Sequence, residues 1–364
     1  MTNDRTEATS ESSPITLSSM GSLFFAGRVV KSDDGDTCHG DHGYAQYFVP
    51  QEARSLPVIL WHGVGQSGKT WESTPDGREG FWQIFTRRDW SVYIIDQPRR
   101  GRAGRVAIDR TQDRQADEHP TLDSEADAWE VFRLGAWHPP EPPGFFPGIK
   151  FPTDPNSIRQ FLSQQTPNTG SEPFPDAPHR RFMGRAVAEL VDSVGPAILT
   201  CHSHSAQYAW LTAIMRPELV RALIAIEPGE FAFPDDESPA DIPTDNELLA
   251  SFMAPQFVAA DEFDALTRIP ILVVMGDYIS REPHSDYGVE LWRVVKLRAQ
   301  QFVNTVNRRG GDATYLELPE VGITGNSHFM MADRNNVQVA DLLSEFLAKK
   351  GLDVRDVPHR GPRR

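Results

Sequence analysis

Pro196-Ala-Ile-Leu-Thr-Cys-His-Ser203-His-Ser-Ala-Gln-Tyr-Ala-Trp-Leu-Thr-Ala-Ile-Met215 is an apolar run that stops abruptly at small and polar residues, then resumes with helical spacing. The order predicts a strand, a tight turn and a helix. At the turn, Cys201-x-Ser203-x-Ser205 puts a small residue two places either side of a central serine, the frame usually written G-x-S-x-G. The demand for small flanks is steric. A serine on so sharp a strand-to-helix bend sits at a strained φ/ψ, and bulky neighbours two residues away would collide with adjacent backbone.

Outward from that turn, the chain repeats the same rhythm. Residues 56–61 form a continuous apolar run ending at His62-Gly63-Val64-Gly65, and residues 90–96, 221–226, 270–275 and 314–318 read as further strands. Helical patterns at 77–88, 179–194, 287–308 and 336–350 separate or follow them. Strand, helix, strand in this order implies right-handed parallel crossovers, hence an α/β chain with a mostly parallel sheet and helices on both faces. A hairpin at 21–30 and 44–49 precedes it, joined by a polar loop, residues 31–43. Cys38, His39, Asp41 and His42 crowd that loop, but no second ligand cluster accompanies them, so no metal site is expected.

These elements divide the chain into a core, residues 20–104 and 179–352, and an insertion at 105–178 rich in proline and aromatics. A second excursion interrupts the core at 230–264. A long irregular stretch between core elements is more often a lid or cap than a structureless loop. Its aromatics, among them Trp129, Trp137, Phe145, Phe146, Phe151 and Phe161, either line a substrate pocket or glue the insertion down. Residues 1–19 read as a disordered leader and residues 353–364 as a basic, solvated tail. The run Arg99-Arg100-Gly-Arg102-Ala-Gly-Arg105 is also read as solvated charge.

Composition narrows the partners. Of 364 residues, 39% are hydrophobic and 10% aromatic, enough for a sizeable core. The formal net charge of −15 works against nucleic acid and acidic membrane surfaces. No stretch has the ~18 to 20 apolar residues of a membrane span. Two cysteines make no disulfide framework, and the N-terminus lacks the apolar segment of a secretory signal, so a cytoplasmic location is expected. The oligomeric state is open, a homodimer included.

A serine hydroxyl is a poor nucleophile at neutral pH. It needs a base to take its proton, a third group to orient the base, and backbone donors where the oxyanion forms. Candidates for each role stand at the C-terminal ends of predicted parallel strands, where open α/β sheets build their sites.

On these residues the chain resembles the α/β-hydrolases, over roughly residues 21–352. Ser203, Glu227 and His328 follow the family's order of nucleophile, acid and histidine. His62-Gly63 resembles the family's His-Gly turn, which implies oxyanion N–H groups from Val64 and from His204. Asp96-Gln-Pro-Arg-Arg-Gly101-Arg-Ala-Gly104 is similar to its Asp-to-Gly turn. Where most members carry Gly-Asp-x-Asp with the second aspartate catalytic, this chain reads Gly276-Asp277-Tyr278-Ile279, which leaves Glu227 as the acid and Asp277 in reserve. That placement resembles a smaller group of bacterial esterases whose triad acid is a glutamate after the sixth strand. Trp71-Glu72-Ser-Thr-Pro-Asp76-Gly77 and Gly325-Asn-Ser-His328-Phe-Met-Met-Ala-Asp333-Arg-Asn-Asn336 also look like that group. Relatives there carry adjacent cysteines where this chain has Val64-Gly65. The resemblance implies a serine hydrolase of small-molecule carboxylic esters, working without metal or organic cofactor, and the aromatics of the insertion point to a bulky apolar acyl or alcohol group on the substrate. A lactonase, amidase or acyltransferase on the same triad, or a binding module of this fold, are the alternatives.

Overall fold

The computed structural model describes residues 14–107, 124–167 and 174–362. Eight strands form one sheet in the order β1-β2-β4-β3-β5-β6-β9-β10. They are β1 (Leu17–Lys31), β2 (Thr37–Pro50), β3 (Val58–Trp61), β4 (Val92–Asp96), β5 (Ala197–His202), β6 (Val220–Ile226), β9 (Pro270–Met275) and β10 (Asp312–Glu317). From β4 to β10 every pairing is parallel, whereas β1 and β2 form an antiparallel edge. The expected α/β-hydrolase architecture, a mostly parallel sheet with helices on both faces, is therefore present. Strands β3 to β6 are largely apolar because both faces of the sheet are covered, Arg221 near the start of β6 being exposed.

On one face, α4 (Ala177–Val194), α5 (Ala206–Met215) and α8 (Tyr287–Arg308) bury Val187, Leu190, Leu211, Val295 and Phe302 against the sheet. On the other lie α1 (Phe81–Arg87) and α9 (Asn336–Lys349), with Phe85, Val339 and Leu343 inward. That second core also contains Trp129, Phe132, Phe151 and Phe161 from the insertion. The insertion carries α2 (Glu125–Val131) and α3 (Pro155–Ser163), and those four aromatics anchor it. The excursion at 230–264 holds β7 (Ala232–Pro234) paired to β8 (Gln256–Val258), with α6 (Glu247–Phe252) and α7 (Ala260–Phe263).

Several expectations are corrected. The leader was expected to run to residue 19, but β1 begins at Leu17, since alternating side chains there pair with β2 up to Pro50. Residues 1–13 lie outside the described residues. The polar loop expected at 31–43 shrinks to a turn, because Thr37 to Gly43 pair with β1, and Cys38 is buried. Asp41 there is held by Arg28 and Arg99. The arginines read as solvated are structural: Arg102 pairs with Asp96, and Arg100, 1% exposed, donates to the carbonyls of Thr166 and Pro167. The tail is tied down as well, Arg355 to Asp89 and the His359 ring to the Tyr93 hydroxyl. Arg102 meets an acid only six residues back, whereas Asp41 and Arg99, Arg100 and Thr166, and Arg355 and Asp89 come from distant parts of the chain.

Candidate active site

Strand register brings the site residues to one level. Trp61 pairs with Cys201, and His202 with Ile226. Two further steps along β3 and one along β5 and β6 bring Gly63, Ser203 and Glu227 abreast at the carboxyl rim. The chain runs β3 to β4 on one side and later β5 on the other, so the rim between β3 and β5 is the topological switch point where open sheets bind ligands.

Ser203 stands at φ +56°, as the elbow demands, and is partly exposed at the head of a single 3-10 turn leading into α5. Ser205 is different. It is 1% exposed, and its hydroxyl is engaged with the carbonyls of His202 and Trp61, so it serves the turn's backbone. A Cβ at Gly63 would lie 3.1 Å from the Ser203 Cβ and from His202 Nδ1, which shows how tightly the β3 turn and the elbow pack. Val64 is the next residue. The backbone N of His204 lies 3.9 Å from where a Gly229 Cβ would stand, and Gly229 N donates to the Ser203 carbonyl.

Glu227 is fully buried at φ +51°, and its Oε2 lies 3.1 Å from His328 Nδ1. Burial alone pushes this carboxyl up, but the Arg133 guanidinium and the His328 ring outweigh it and hold the group at about 2. The backbone N–H of Gly276 also donates to Oε1. Burial lowers the His328 pKa, helped by the Arg133 charge and opposed by Glu227, so the imidazole is neutral and competent as a base near pH 7. With Nδ1–H directed at the carboxylate, the Nε2 lone pair is the basic one. Among the described hydrogen bonds none joins Nε2 to Ser203 Oγ; such bonds commonly tighten only with substrate in place. Asp277, the reserve acid, does not reach His328: its carboxylate accepts from the backbone N–H groups of Tyr278 at 2.7 Å and Gly325 at 2.8 Å.

Among solved structures, the chain is similar to one described as a novel bacterial esterase. The two are 30% identical, with 94% of this chain and 99% of that chain covered and a TM-score of 0.74. The chain belongs to the α/β-hydrolase superfamily. Among curated proteins, a "probable secreted lipase" of Fungal sp. (strain ATCC 74256) is 24% identical over 342 residues, 84% of this chain and 86% of that protein. No protein-family model matches the chain.

The α/β-hydrolase holds its histidine with residues that the sequence did not single out. Arg133, just beyond α2, forks onto Glu227 with 2.6 Å from Nη1 to Oε2 and 2.5 Å from Nη2 to Oε1. Its Nε donates to the Asp277 carbonyl at 2.9 Å, and its guanidinium lies 4.6 Å from the Trp292 ring centroid. Trp292, from α8, also flanks His328 at 4.5 Å between ring centroids and donates to the Val131 carbonyl. The neighbouring Phe132 stacks on His328 at 6.0 Å and accepts from the His328 backbone N–H. His202 Nε2 donates to the His328 carbonyl at 2.9 Å, leaving its buried Nδ1 as the unprotonated nitrogen. The two stretches that resemble motifs of the esterase group meet here too: Arg78, just past the first, donates to the carbonyls of Ala332 and Asp333 in the second. Nothing local marks Arg133 or Trp292. One sits in an irregular insertion and the other in the apolar stripe of a long helix.

Proposed function

We propose that this α/β-hydrolase cleaves small-molecule carboxylic esters through an acyl-enzyme on Ser203. The observation that carries the reading is the 3.1 Å contact between Glu227 and a buried, neutral His328, at the same rim as a strained and partly exposed serine. His328 Nε2 takes the Ser203 proton as Oγ attacks the ester carbonyl, then gives it to the departing alkoxide; water repeats the sequence on the acyl-enzyme. Glu227 fixes the ring and stabilises the imidazolium while it exists. The N–H groups of Val64 and His204 are assigned to the oxyanion, where one donor is worth roughly 10²–10³ in kcat. A bulky apolar substituent is the favoured substrate feature. Its support is the aromatic content of the insertion, from which Phe132 stacks on His328.

A fluorophosphonate should label the protein stoichiometrically at Ser203, with labelling and ester hydrolysis both lost in Ser203→Ala. Undiminished labelling of that variant would remove Ser203 from the nucleophile's role. A p-nitrophenyl ester series of rising acyl length, followed for product, then reads the substrate preference.

A further inference from the structure

A triad acid normally spends one oxygen on the histidine and leaves the other to backbone donors. In this chain both oxygens of Glu227 are also taken by one guanidinium, itself 2% exposed. The pair is thus a complete ion pair in low dielectric, with His328 as its third member. We propose that Arg133 is a positioning residue of the triad: its fork locks the Glu227 carboxylate toward His328, and its fixed charge opposes protonation of that histidine. This rests on the reading of Ser203, Glu227 and His328 given above.

Two arguments carry it. A carboxylate gripped through both oxygens cannot rotate about its last torsion, so Oε2 stays on Nδ1 through every change of charge on the ring. The charge sum also differs from an isolated acid and histidine. Without Arg133, protonating His328 would turn a net charge of −1 into 0; with it, the step goes from 0 to +1 in a buried site, which is harder. The groups facing the imidazole are Glu227 from the end of β6, Arg133 from beyond α2, and His202 from the end of β5, which burial keeps neutral; Trp292 of α8 is uncharged. On the histidine's own loop, Asp333 is engaged with Ser327 and Asn326.

The device has a structural corollary. Arg133 and Phe132 belong to the insertion, and through the Glu227 pair and the His328 N–H to Phe132 O bond they join it to the catalytic loop. The segment after α2 is therefore part of the active-site scaffold, and motion of the insertion that displaced it would uncouple the acid.

The test is the pH dependence of kcat/KM for p-nitrophenyl acetate in the full chain and in Arg133→Gln and Arg133→Lys, with thermal midpoints measured alongside. For Arg133→Gln the expected result is a kcat roughly 10²-fold lower, KM little changed, and an acid limb moved to higher pH. The direction holds whichever of the coupled partners, Glu227 or His328, takes the proton. Arg133→Lys keeps the charge and loses the fork, so its kcat should fall while its acid limb stays in place. An unmoved limb in Arg133→Gln, or activity lost only in step with thermal stability, would overturn the proposal. If the glutamine variant does not fold, the lysine variant decides alone: wild-type kcat, or a displaced limb, rejects it. Fluorophosphonate labelling separates this from the parent reading, because all Arg133 variants should still label at Ser203, only more slowly. Labelling that persists in Ser203→Ala would instead sink the triad itself.

Discussion

At the scale of single residues, the acid is the choice most open to error in the sequence, because Asp277 occupies the family's commoner segment and Glu227 is a lone glutamate at a strand end. The geometry separates them by what each oxygen touches. Glu227 meets His328 and Arg133, whereas Asp277 ties the backbone of one loop to that of another. Replacing Glu227 by glutamine removes the charge that stabilises the imidazolium, and kcat should fall roughly 10³–10⁴-fold, with a lowered thermal midpoint because the Arg133 charge is left buried without its partner. Asp277→Asn should lose far less. Side-by-side kinetics on one ester decide, and a large loss confined to the Asp277 variant would reverse the assignment.

At the scale of elements, the loop between β10 and α9 has to hold His328 still without regular secondary structure. Asp333 does this from inside the loop: its carboxylate accepts from Ser327 N and Ser327 Oγ, both at 2.8 Å, and from Asn326 Nδ2 at 3.0 Å. Phe132 O and His202 Nε2 fix the backbone of His328 from either side. Asp333→Ala removes the internal brace, leaving Ser327 N and Oγ without that acceptor and Asn326 Nδ2 with Asn335 alone. Since small misplacements of a catalytic group are costly, kcat/KM should drop roughly 10²-fold, mostly in kcat. Unchanged kcat would show that the external bonds suffice.

At the scale of the whole molecule, the buried titratable groups set a pH window for stability. Burial holds His62, His179 and His359 down at about 4 and lowers His202 well below its ordinary value, against 6.5 when unfolded. Between 6.5 and 4 the unfolded chain binds the extra protons, so the stability these groups contribute is present above 6.5 and lost as pH falls toward 4. Burial raises Asp333 to about 7 and Glu230 to about 8, and their contribution is lost as pH rises through those values. With His328, which burial also lowers, five histidines outnumber the two raised acids, which predicts a thermal midpoint highest near neutrality and falling on both sides. Replacing His179 with glutamine should flatten the acid side, as followed by thermal unfolding between pH 4 and 8. A midpoint that climbs steadily toward pH 5 would contradict this account.

The sequence by itself determined the α/β architecture and its mostly parallel sheet, and it nominated Ser203, Glu227 and His328 as a site, because each of these writes a local signal. Buried strands are apolar runs, α8 spans the same residues 287–308 that its periodicity predicts, and the elbow needs small flanks around Ser203. What the tertiary structure decided has no local signature. Arg133 reaches Glu227 across 94 residues, Arg99 and Arg100 after β4 turn inward onto Asp41 and the carbonyls of Thr166 and Pro167, and the first residues of β2 are polar yet pair because β1 offers them an edge. A charge's partner, and hence whether that charge is solvated or structural, is set by the packing of segments far apart in the chain, and no window of sequence contains both halves of the pair.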